Sequence, residues 1–322
     1  MYVSQLIAVG HYVPERRLTN LDLEKMVETN DEWIVQRTGI KERRIAADDE
    51  FTSDLCIKAV QNLRERYPSA LEGVDHIVVA TMTADNYCPN VSSQVQAHFG
   101  ISDCGATDLN SACSGFVYGL TVAHGLICSG FNQKVLVIGA DAMSKIVDFK
   151  DRTTCILFGD GAGAAILESA PTSDFLVSYT STQGELASNL YCTGLSETIG
   201  PNRRVITQNG REVFKWAVSS VRKGVGLILE KAKMDASQLD WFIPHSANQR
   251  ILDAVCEKLG IPSDKVCSAL PYSGNTSAAS IGIALSEGVL DQKIQQGQTL
   301  CLYGFGGGLT QSGLVCRLHQ LN

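Results

Sequence analysis

Cys113 lies where a nucleophile could form, because a short β-type run gives way to a long apolar helix at this residue. Apolar residues recur at helical spacing from Phe116 to Ile127 on more than one side, which predicts a helix buried nearly all round with Cys113 in its first turn. Free backbone N–H groups and the positive end of the helix dipole favour a thiolate there. The sequence therefore predicts a thiol whose pKa is low enough for attack near neutral pH. A buried structural cysteine is the alternative, and partners elsewhere in the chain must decide between the two.

Two residues in the second half of the chain could complete a catalytic site with Cys113. His245 lies at the end of the predicted strand DWFIPHS, and Asn275 lies in the turn YSGN, just before a predicted helix. Taken singly, His245 could be a strand-end histidine and Asn275 a turn residue. The element order in this half matches the order around Cys113, so all three side chains are expected to face one central seam.

Alternating strands and helices predict the layering of the chain. Strands are predicted at 3–9, 75–83 and 134–141, and helices at 52–66 and near 91–99. Thr19 or Asn20 is expected to cap a helix at LDLEKMVE. Residues 153–169 are predicted to form two strands joined by a glycine turn. This alternation indicates an α/β protein with largely parallel strands.

The second half repeats the plan of the first, which predicts an internal duplication. We expect two α/β halves: residues 1–170, with the nucleophilic cysteine, and residues 171–322, with the histidine and asparagine. Residues 169–211 fit the plan poorly, and their glycines and Pro201 predict a long loop or insertion.

Composition excludes several classes of protein. The chain of 322 residues has 44% hydrophobic and 19% charged residues, which is typical of a compact soluble protein rather than a disordered one. It has no apolar run near the roughly 20 residues of a membrane span, and its first residues do not resemble a signal peptide. The 11 cysteines lack any CxxC pair, which favours reduced thiols and a cytoplasmic protein. A formal charge of −7 argues against nucleic acid as the main partner.

Two other patterns are discounted as cofactor sites. The run GDGAGA at 159–164 imitates a dinucleotide fingerprint, but it lies between predicted strands rather than at a helix start. Histidines other than His245 show no metal-ligand spacing. The polar stretch DEWIVQRTGIKERRIA, residues 31–46, is typical of a solvated face, although its Trp33 and arginines could also bind a nucleotide.

Several motifs together resemble the thiolase-fold condensing enzymes, and within them the β-ketoacyl-acyl carrier protein synthase III family of the Bacillus-like type. These motifs are SACSGFVYGL around Cys113, PHSAN with His245, GNTSAAS with Asn275, FGGGLT at 305–310, DEWIVQRTGIKERRI and NGREVFKWAV. The resemblance implies a thiolase-like fold of two duplicated α/β halves packed as a layered αβαβα structure. It also implies a homodimer without a metal or redox cofactor.

The same resemblance implies a catalytic triad of Cys113, His245 and Asn275. An acyl group would move from a thioester onto Cys113, while the backbone N–H groups of Cys113 and Gly307 stabilise the oxyanion. His245 and Asn275 would then donate hydrogen bonds to a malonyl thioester oxygen as carbon dioxide leaves. The expected product is a β-ketoacyl thioester on acyl carrier protein.

Binding residues are also implied by the resemblance. Trp33, Arg37 and Arg152 are expected to hold the adenine and phosphates of coenzyme A. The pantetheine tunnel is expected to be lined by Gly210, Phe214, Ala247 and Asn248. Lys215, Arg250 and Lys258, with Arg211 as a further candidate, could form a basic face for the carrier protein, although Glu257 departs from the family there.

Cys88 stands where several acetyl-specific relatives carry a phenylalanine that closes the acyl pocket. A smaller side chain predicts that medium or branched primers are accepted beside acetyl. Three alternatives stay open at this point: a condensing enzyme or acyltransferase of secondary metabolism, a thiolase, and a non-catalytic acyl-CoA binding protein. Phe305 precedes the glycines where a thiolase usually has a second cysteine, which disfavours the thiolase.

Overall fold

Two β-sheets organise the protein, for which a computed structural model describes residues 3–201, 204–319 and 321. The strands are β1 (Val3–Tyr12), β2 (Arg17–Thr19), β3 (Glu42–Arg44), β4 (His76–Ala80), β5 (Gly105–Leu109), β6 (Lys134–Ala142), β7 (Asp160–Ala170), β8 (Phe175–Thr182), β9 (Leu190–Cys192), β10 (Ile206–Gln208), β11 (Trp241–Pro244), β12 (Thr299–Gly306) and β13 (Thr310–Arg317). The α-helices are α1 (Asn20–Leu23), α2 (Asp31–Thr38), α3 (Thr52–Arg66), α4 (Val91–Phe99), α5 (Gly115–Cys128), α6 (Gly210–Ala232), α7 (Gln249–Leu259), α8 (Leu270–Ser273) and α9 (Ser280–Leu290).

The helices and sheets form five layers. The first sheet has the strand order β1-β7-β6-β4-β5, and the second has the order β11-β12-β13-β8. Helices α5 and α9 lie between the sheets and contact both, α3 and α4 cover the outer face of the first, and α6 and α7 cover that of the second. The central helices are apolar on most sides because they must pack against two sheets at once. This arrangement confirms the predicted αβαβα fold.

The duplication is visible in the sheets. Strands of the first sheet all lie before residue 171, and strands of the second all lie after it. The division into residues 1–170 and 171–322 remains a prediction. The 169–211 region is only partly a loop, because β8 pairs with β13 and completes the second sheet.

Three expectations about local structure were wrong. Residues 153–169 do not form two strands, since β7 is one continuous strand that begins at Asp160. The strands are not largely parallel, because β7 runs antiparallel to β1 and β6, and β13 antiparallel to β12 and β8. A short connection such as 307–309 can only join antiparallel neighbours. Thr19 does cap α1, but that helix ends at Leu23.

The helix after Cys113 is less enclosed than its pattern predicts. Cys113 lies in a 3₁₀ turn, Ala112–Ser114, which precedes α5. Val122 on α5 is 44% exposed, so the helix is not buried all round. Within the described ranges, no helix has the length and apolar character needed to cross a membrane.

Arg43 corrects the interpretation of residues 31–46 as a solvated face, because its side chain is fully buried. Its Nε donates to the carbonyl oxygen of Ile156 at 2.9 Å, and its Nη1 donates to Asn20 Oδ1 at 2.5 Å. Burial lowers the pKa of Arg43 to about 10, which still leaves the guanidinium charged at neutral pH. Arginine suits this position since its planar donors match carbonyl and amide acceptors.

Candidate active site

Cys113 lies at the wall of a cavity of about 1650 Å³ between the two halves of the fold. His245 and Asn275 line the same cavity, together with the segment Phe305–Gly308. Cys88, Gly210, Phe214, Ala247 and Asn248 line this cavity as well. The structure therefore brings together the three residues predicted to be catalytic and the residues predicted to line the tunnel and the acyl pocket.

The Cys113 thiol does not have the lowered pKa that the helix start predicted. Burial raises the pKa to about 12, and the negative charge of Asp141 acts in the same direction. The hydrogen bond between Cys113 and the Ser277 side chain and the backbone N–H groups of Cys113 and Gly307 oppose this rise. The cost of burying a thiolate outweighs the donors at the helix start, so the resting thiol keeps its proton.

His245 is held in its neutral form. Its ring is 1% exposed, and burial lowers its pKa to about 3. Nδ1 lies 2.7 Å from Ser280 Oγ, and Phe305 packs against the ring edge to face, with centroids 5.3 Å apart. A neutral imidazole with Nδ1 engaged by Ser280 has Nε2 left for the cavity, where it can donate a proton or accept one.

Asn275 is fixed at both its backbone and its side chain. Its N–H donates to Leu157 O at 2.9 Å, and its carbonyl accepts from Gly159 N–H at 3.0 Å. Its Oδ1 accepts from the backbone N–H of Ser277 at 3.0 Å. Because Oδ1 is engaged, Nδ2 carries the free donors of this side chain, as a group that stabilises a developing oxyanion must.

The Cys113 turn and the Asn275 turn have the same local geometry. Asn110 Oδ1 accepts from the N–H of Ala112, as Asn275 Oδ1 accepts from the N–H of Ser277. Ala112 and Ser277 both have positive φ angles, of 44° and 49°. Each turn continues through a 3₁₀ turn into a central helix, so duplication places Cys113 and Asn275 on facing helix starts.

Ser277 and Asp141 were not predicted from the sequence. Ser277 Oγ lies 3.5 Å from Cys113 Sγ. The same hydroxyl is near enough to Asp141 to lower the pKa of its carboxyl. Ser280 was missed as well. The two serines are part of the quoted GNTSAAS motif, and Asp141 ends the predicted strand KVLVIGAD, but nothing in the sequence alone shows that they meet.

A groove beside the cavity brings together the residues predicted to bind coenzyme A. Arg37 and Arg152 place their guanidinium carbons 5.7 Å and 5.2 Å from the centre of the Trp33 ring. Asn248 borders both this groove and the cavity, so the two spaces adjoin. Asn248 also caps α7, because its Oδ1 accepts from the N–H of Arg250 at 2.9 Å.

One of the three residues of the predicted basic face forms an ion pair within the protein. Arg250 and Lys258 are exposed on α7, and Arg250 also borders the groove beside Trp33. Lys215 on the neighbouring α6 is exposed, but its Nζ lies 2.8 Å from the Glu212 carboxylate. This ion pair offsets part of the positive charge on that helix.

Comparisons with known proteins agree with one another over nearly the whole chain. The family described as 3-oxoacyl-[acyl-carrier-protein (ACP)] synthase III matches residues 107–184, and its C-terminal counterpart matches residues 229–318. A β-ketoacyl-[acyl-carrier-protein] synthase III 2 of Halalkalibacterium halodurans is 54% identical over 319 residues, covering 98% of this chain and 96% of the relative.

Two further matches extend this comparison. A protein of the same name from Bacillus subtilis is 48% identical over 322 residues, covering 98% of this chain and 99% of the relative. The crystal structure of a β-ketoacyl-[acyl carrier protein] synthase III from Thermus thermophilus superposes with a TM-score of 0.94 at 44% identity, covering 97% of this chain and 98% of that one.

Proposed function

The chain belongs to the β-ketoacyl-acyl carrier protein synthase III family, the condensing enzymes that start fatty acid synthesis, and from this premise we propose which of its residues and substrates carry the reaction. Family membership confirms the prediction of an acyltransferase of the Bacillus-like type. The substrates we propose are an acyl-CoA primer, acetyl or longer or branched, and malonyl-acyl carrier protein. The products are β-ketoacyl-acyl carrier protein, coenzyme A and carbon dioxide.

Acylation of Cys113 is the first step. The sulfur attacks the thioester carbonyl of the primer, and exchange of one thioester for another keeps the acyl group activated. The N–H groups of Cys113 and Gly307 both lower the pKa of the thiol, and we propose that they bind the carbonyl oxygen of the adduct. Loss of the coenzyme A thiolate leaves an acyl thioester on Cys113.

Condensation is the second step. Nε2–H of neutral His245 and Nδ2–H of Asn275 donate to the thioester oxygen of the malonyl group as carbon dioxide leaves. Neither donor changes charge, and the asparagine amide does not repel the enolate as a carboxylate would. The carbanion then attacks the acyl group on Cys113 and expels the sulfur.

The convergence of Cys113, His245 and Asn275 on one cavity is the observation that carries this assignment. The test is product formation from an acyl-CoA panel and malonyl-carrier protein, followed by mass spectrometry of the carrier protein. Cys113→Ala should form neither acyl-enzyme nor product. Asn275→Ala and His245→Ala should form acyl-enzyme but no β-ketoacyl product. Undiminished product from either of these two variants would refute the proposed roles.

Primer binding and carrier docking are assigned to two adjoining surfaces. The indole of Trp33 and the charges of Arg37 and Arg152 suit the adenine and phosphates of coenzyme A. The exposed Arg250 and Lys258, with Lys215 at the margin, suit an acidic carrier protein. Arg250→Glu should raise the KM for malonyl-carrier protein and make it more sensitive to salt. Unchanged kinetics would rule out this docking face.

The active form is proposed to be a cytoplasmic homodimer without a metal or redox cofactor. Strand β5 is an edge of the first sheet, and Tyr87 and Phe131 are each 81% exposed. An open strand edge and exposed aromatic side chains favour a second copy as the partner. Analytical ultracentrifugation tests this, and a monomer at micromolar concentration would contradict it.

A further inference from the structure

Asp141 is fully buried beside the nucleophile and has no part in the mechanism above. Its Oδ1 accepts hydrogen bonds from Thr81 Oγ1 at 3.0 Å, Met82 N at 2.8 Å and Thr83 Oγ1 at 3.0 Å. Its Oδ2 accepts from Ala278 N at 3.1 Å, and the adjacent Ser277 hydroxyl lowers the pKa of the carboxyl. A carboxylate with this many donors is stabilised as an anion although burial raises its pKa.

Ser277 joins this carboxylate to the nucleophile. The Cys113 thiol donates to Ser277 Oγ at 3.5 Å, and the Ser277 hydroxyl is close enough to Asp141 to lower the pKa of its carboxyl. Ser277 is fully buried, like Asp141, and both residues are absent from the cavity wall. The chain of groups Cys113, Ser277, Asp141 therefore runs from the sulfur into the protein, away from the cavity.

Building on the proposed function, we propose that Ser277 and Asp141 form a proton relay that takes the thiol proton of Cys113 during acylation and returns it after condensation. As the sulfur bonds to the primer carbonyl, its S–H bond breaks and the proton passes to Ser277 Oγ. The former hydroxyl proton of Ser277 passes at the same time to Asp141, which becomes a neutral acid. The C–S bond of the primer breaks, and coenzyme A leaves as a thiolate that takes a proton from water.

Condensation reverses the relay. When the tetrahedral adduct expels the Cys113 thiolate, Asp141 returns its proton through Ser277 and the thiol is restored. Over both steps the coenzyme A thiolate takes up one proton from water. This agrees with the overall reaction, because a decarboxylative condensation consumes one proton. The relay accounts for a thiol that is protonated at rest and yet reacts, because the S–H proton becomes more acidic as the sulfur bonds to carbon.

Ser277→Ala isolates the hydroxyl with little risk to the fold. The equivalent residue of the other turn, Ala112, already adopts a positive φ of 44°, close to the 49° of Ser277. Asn275 keeps its orientation, because its Oδ1 bonds to the backbone N–H of Ser277 rather than to the hydroxyl. Ser312→Ala is the matched control, since Ser312 is a buried serine whose hydroxyl has no hydrogen-bond partner among the described residues.

The experiment measures the rate of Cys113 acylation by rapid quench and intact mass. The acyl donor is the acyl-CoA that acylates the wild type fastest among a panel. Ser277→Ala should slow acylation by tenfold or more, because proton transfer by a positioned group contributes about 10²–10⁴-fold to a rate. Ser312→Ala should match the wild type. Asp141→Asn, which keeps the volume but removes the carboxylate that takes up the proton, should slow acylation in the same way.

A second readout separates the relay from a structural role. The Ser277→Ala variant is first acylated to completion. It should then release carbon dioxide from malonyl-carrier protein at a rate within threefold of the wild type. Slowing of acylation by less than tenfold, or a larger loss of carbon dioxide release, would overturn the relay. Failure of the wild type itself to acylate would instead refute the proposed function.

Discussion

Ser280 Oγ lies 2.7 Å from Nδ1 of His245, and the same oxygen lies 3.4 Å from the backbone N–H of Ser246. With the backbone N–H donating to Ser280 Oγ, the hydroxyl proton is free to donate to Nδ1. This hydrogen bond would place the imidazole proton on Nε2, where the proposed condensation step uses it. We infer that Ser280 sets the tautomer of His245.

Ser280→Ala should lower the rate of carbon dioxide release from malonyl-carrier protein by about tenfold, because His245 loses the group that fixes its tautomer and orientation. Acylation of Cys113 should stay within threefold of the wild type. Single-turnover measurements of the two half-reactions check this, with Ser312→Ala as the control. Equal losses in both half-reactions would show that Ser280 supports the fold rather than His245.

Gly306 is required by the close approach of β12 to the nucleophile. A Cβ at this position would lie 2.7 Å from Cys113 Cβ and 3.0 Å from its Sγ. Gly306→Ala should therefore displace the thiol and lower the acylation rate at least a hundredfold. Gly226→Ala is the control: its Cβ meets no atom within 4 Å, and alanine favours the helix interior by about 1 kcal/mol. If Gly306→Ala were acylated at the wild-type rate, the turn would be able to make room for the added methyl group.

Alkylation of resting Cys113 by iodoacetamide should increase steadily from pH 7 to pH 10. The thiolate is the reactive form, and a pKa raised to about 12 makes its fraction grow about tenfold per pH unit over this range. Cys113→Ala corrects for alkylation of the other cysteines. A plateau in the alkylation rate between pH 7 and pH 9 would mean that the helix start lowers the pKa of the thiol more than burial raises it.

Arg152→Ala should raise the KM for acyl-CoA about tenfold, equivalent to about 1.4 kcal/mol, with little change in kcat. The guanidinium lies 5.2 Å from the centre of the Trp33 ring and is proposed to bind the phosphates rather than the reacting thioester. An acyl-pantetheine without the adenine nucleotide should show the same KM with wild type and variant. Arg222→Ala, an exposed arginine on α6, is the control. A rise in KM for both substrates would place Arg152 elsewhere on the binding path.

Cys88→Phe should depress turnover of medium and branched primers about tenfold more than turnover of acetyl-CoA, since the larger ring narrows the end of the cavity that Cys88 lines. Cys88→Ser keeps the volume of the side chain and serves as the control. The check is a comparison of kcat/KM across a primer panel. Equal losses for all primers would remove Cys88 as a determinant of chain length.

The features that could be predicted from the sequence were those that depend on the order of the elements and on the spacing of apolar residues. Helices α3 and α4 begin and end at their predicted residues, because their apolar spacing and flanking residues are local signals. The duplicated order of elements was enough to predict that Cys113, His245 and Asn275 meet. Their catalytic roles stay predictions until the variants are measured.

Features that depend on burial did not follow from the sequence. The charge pattern around Arg43 predicted a solvated residue, yet acceptors from Ile156 and Asn20 allow it to be buried. The helix start predicted a lowered thiol pKa, but the burial of Cys113 and the charge of Asp141 raise it. Both outcomes depend on residues distant in the chain, which no local pattern reveals.

The most direct test of the account is the intact mass of the protein after mixing with an acyl-CoA panel, before and after malonyl-carrier protein is added. We predict an acyl increment that needs Cys113 and that malonyl-carrier protein discharges into a β-ketoacyl product. An increment that also forms on Cys113→Ala, or that malonyl-carrier protein does not discharge, would contradict the acyl-Cys113 mechanism.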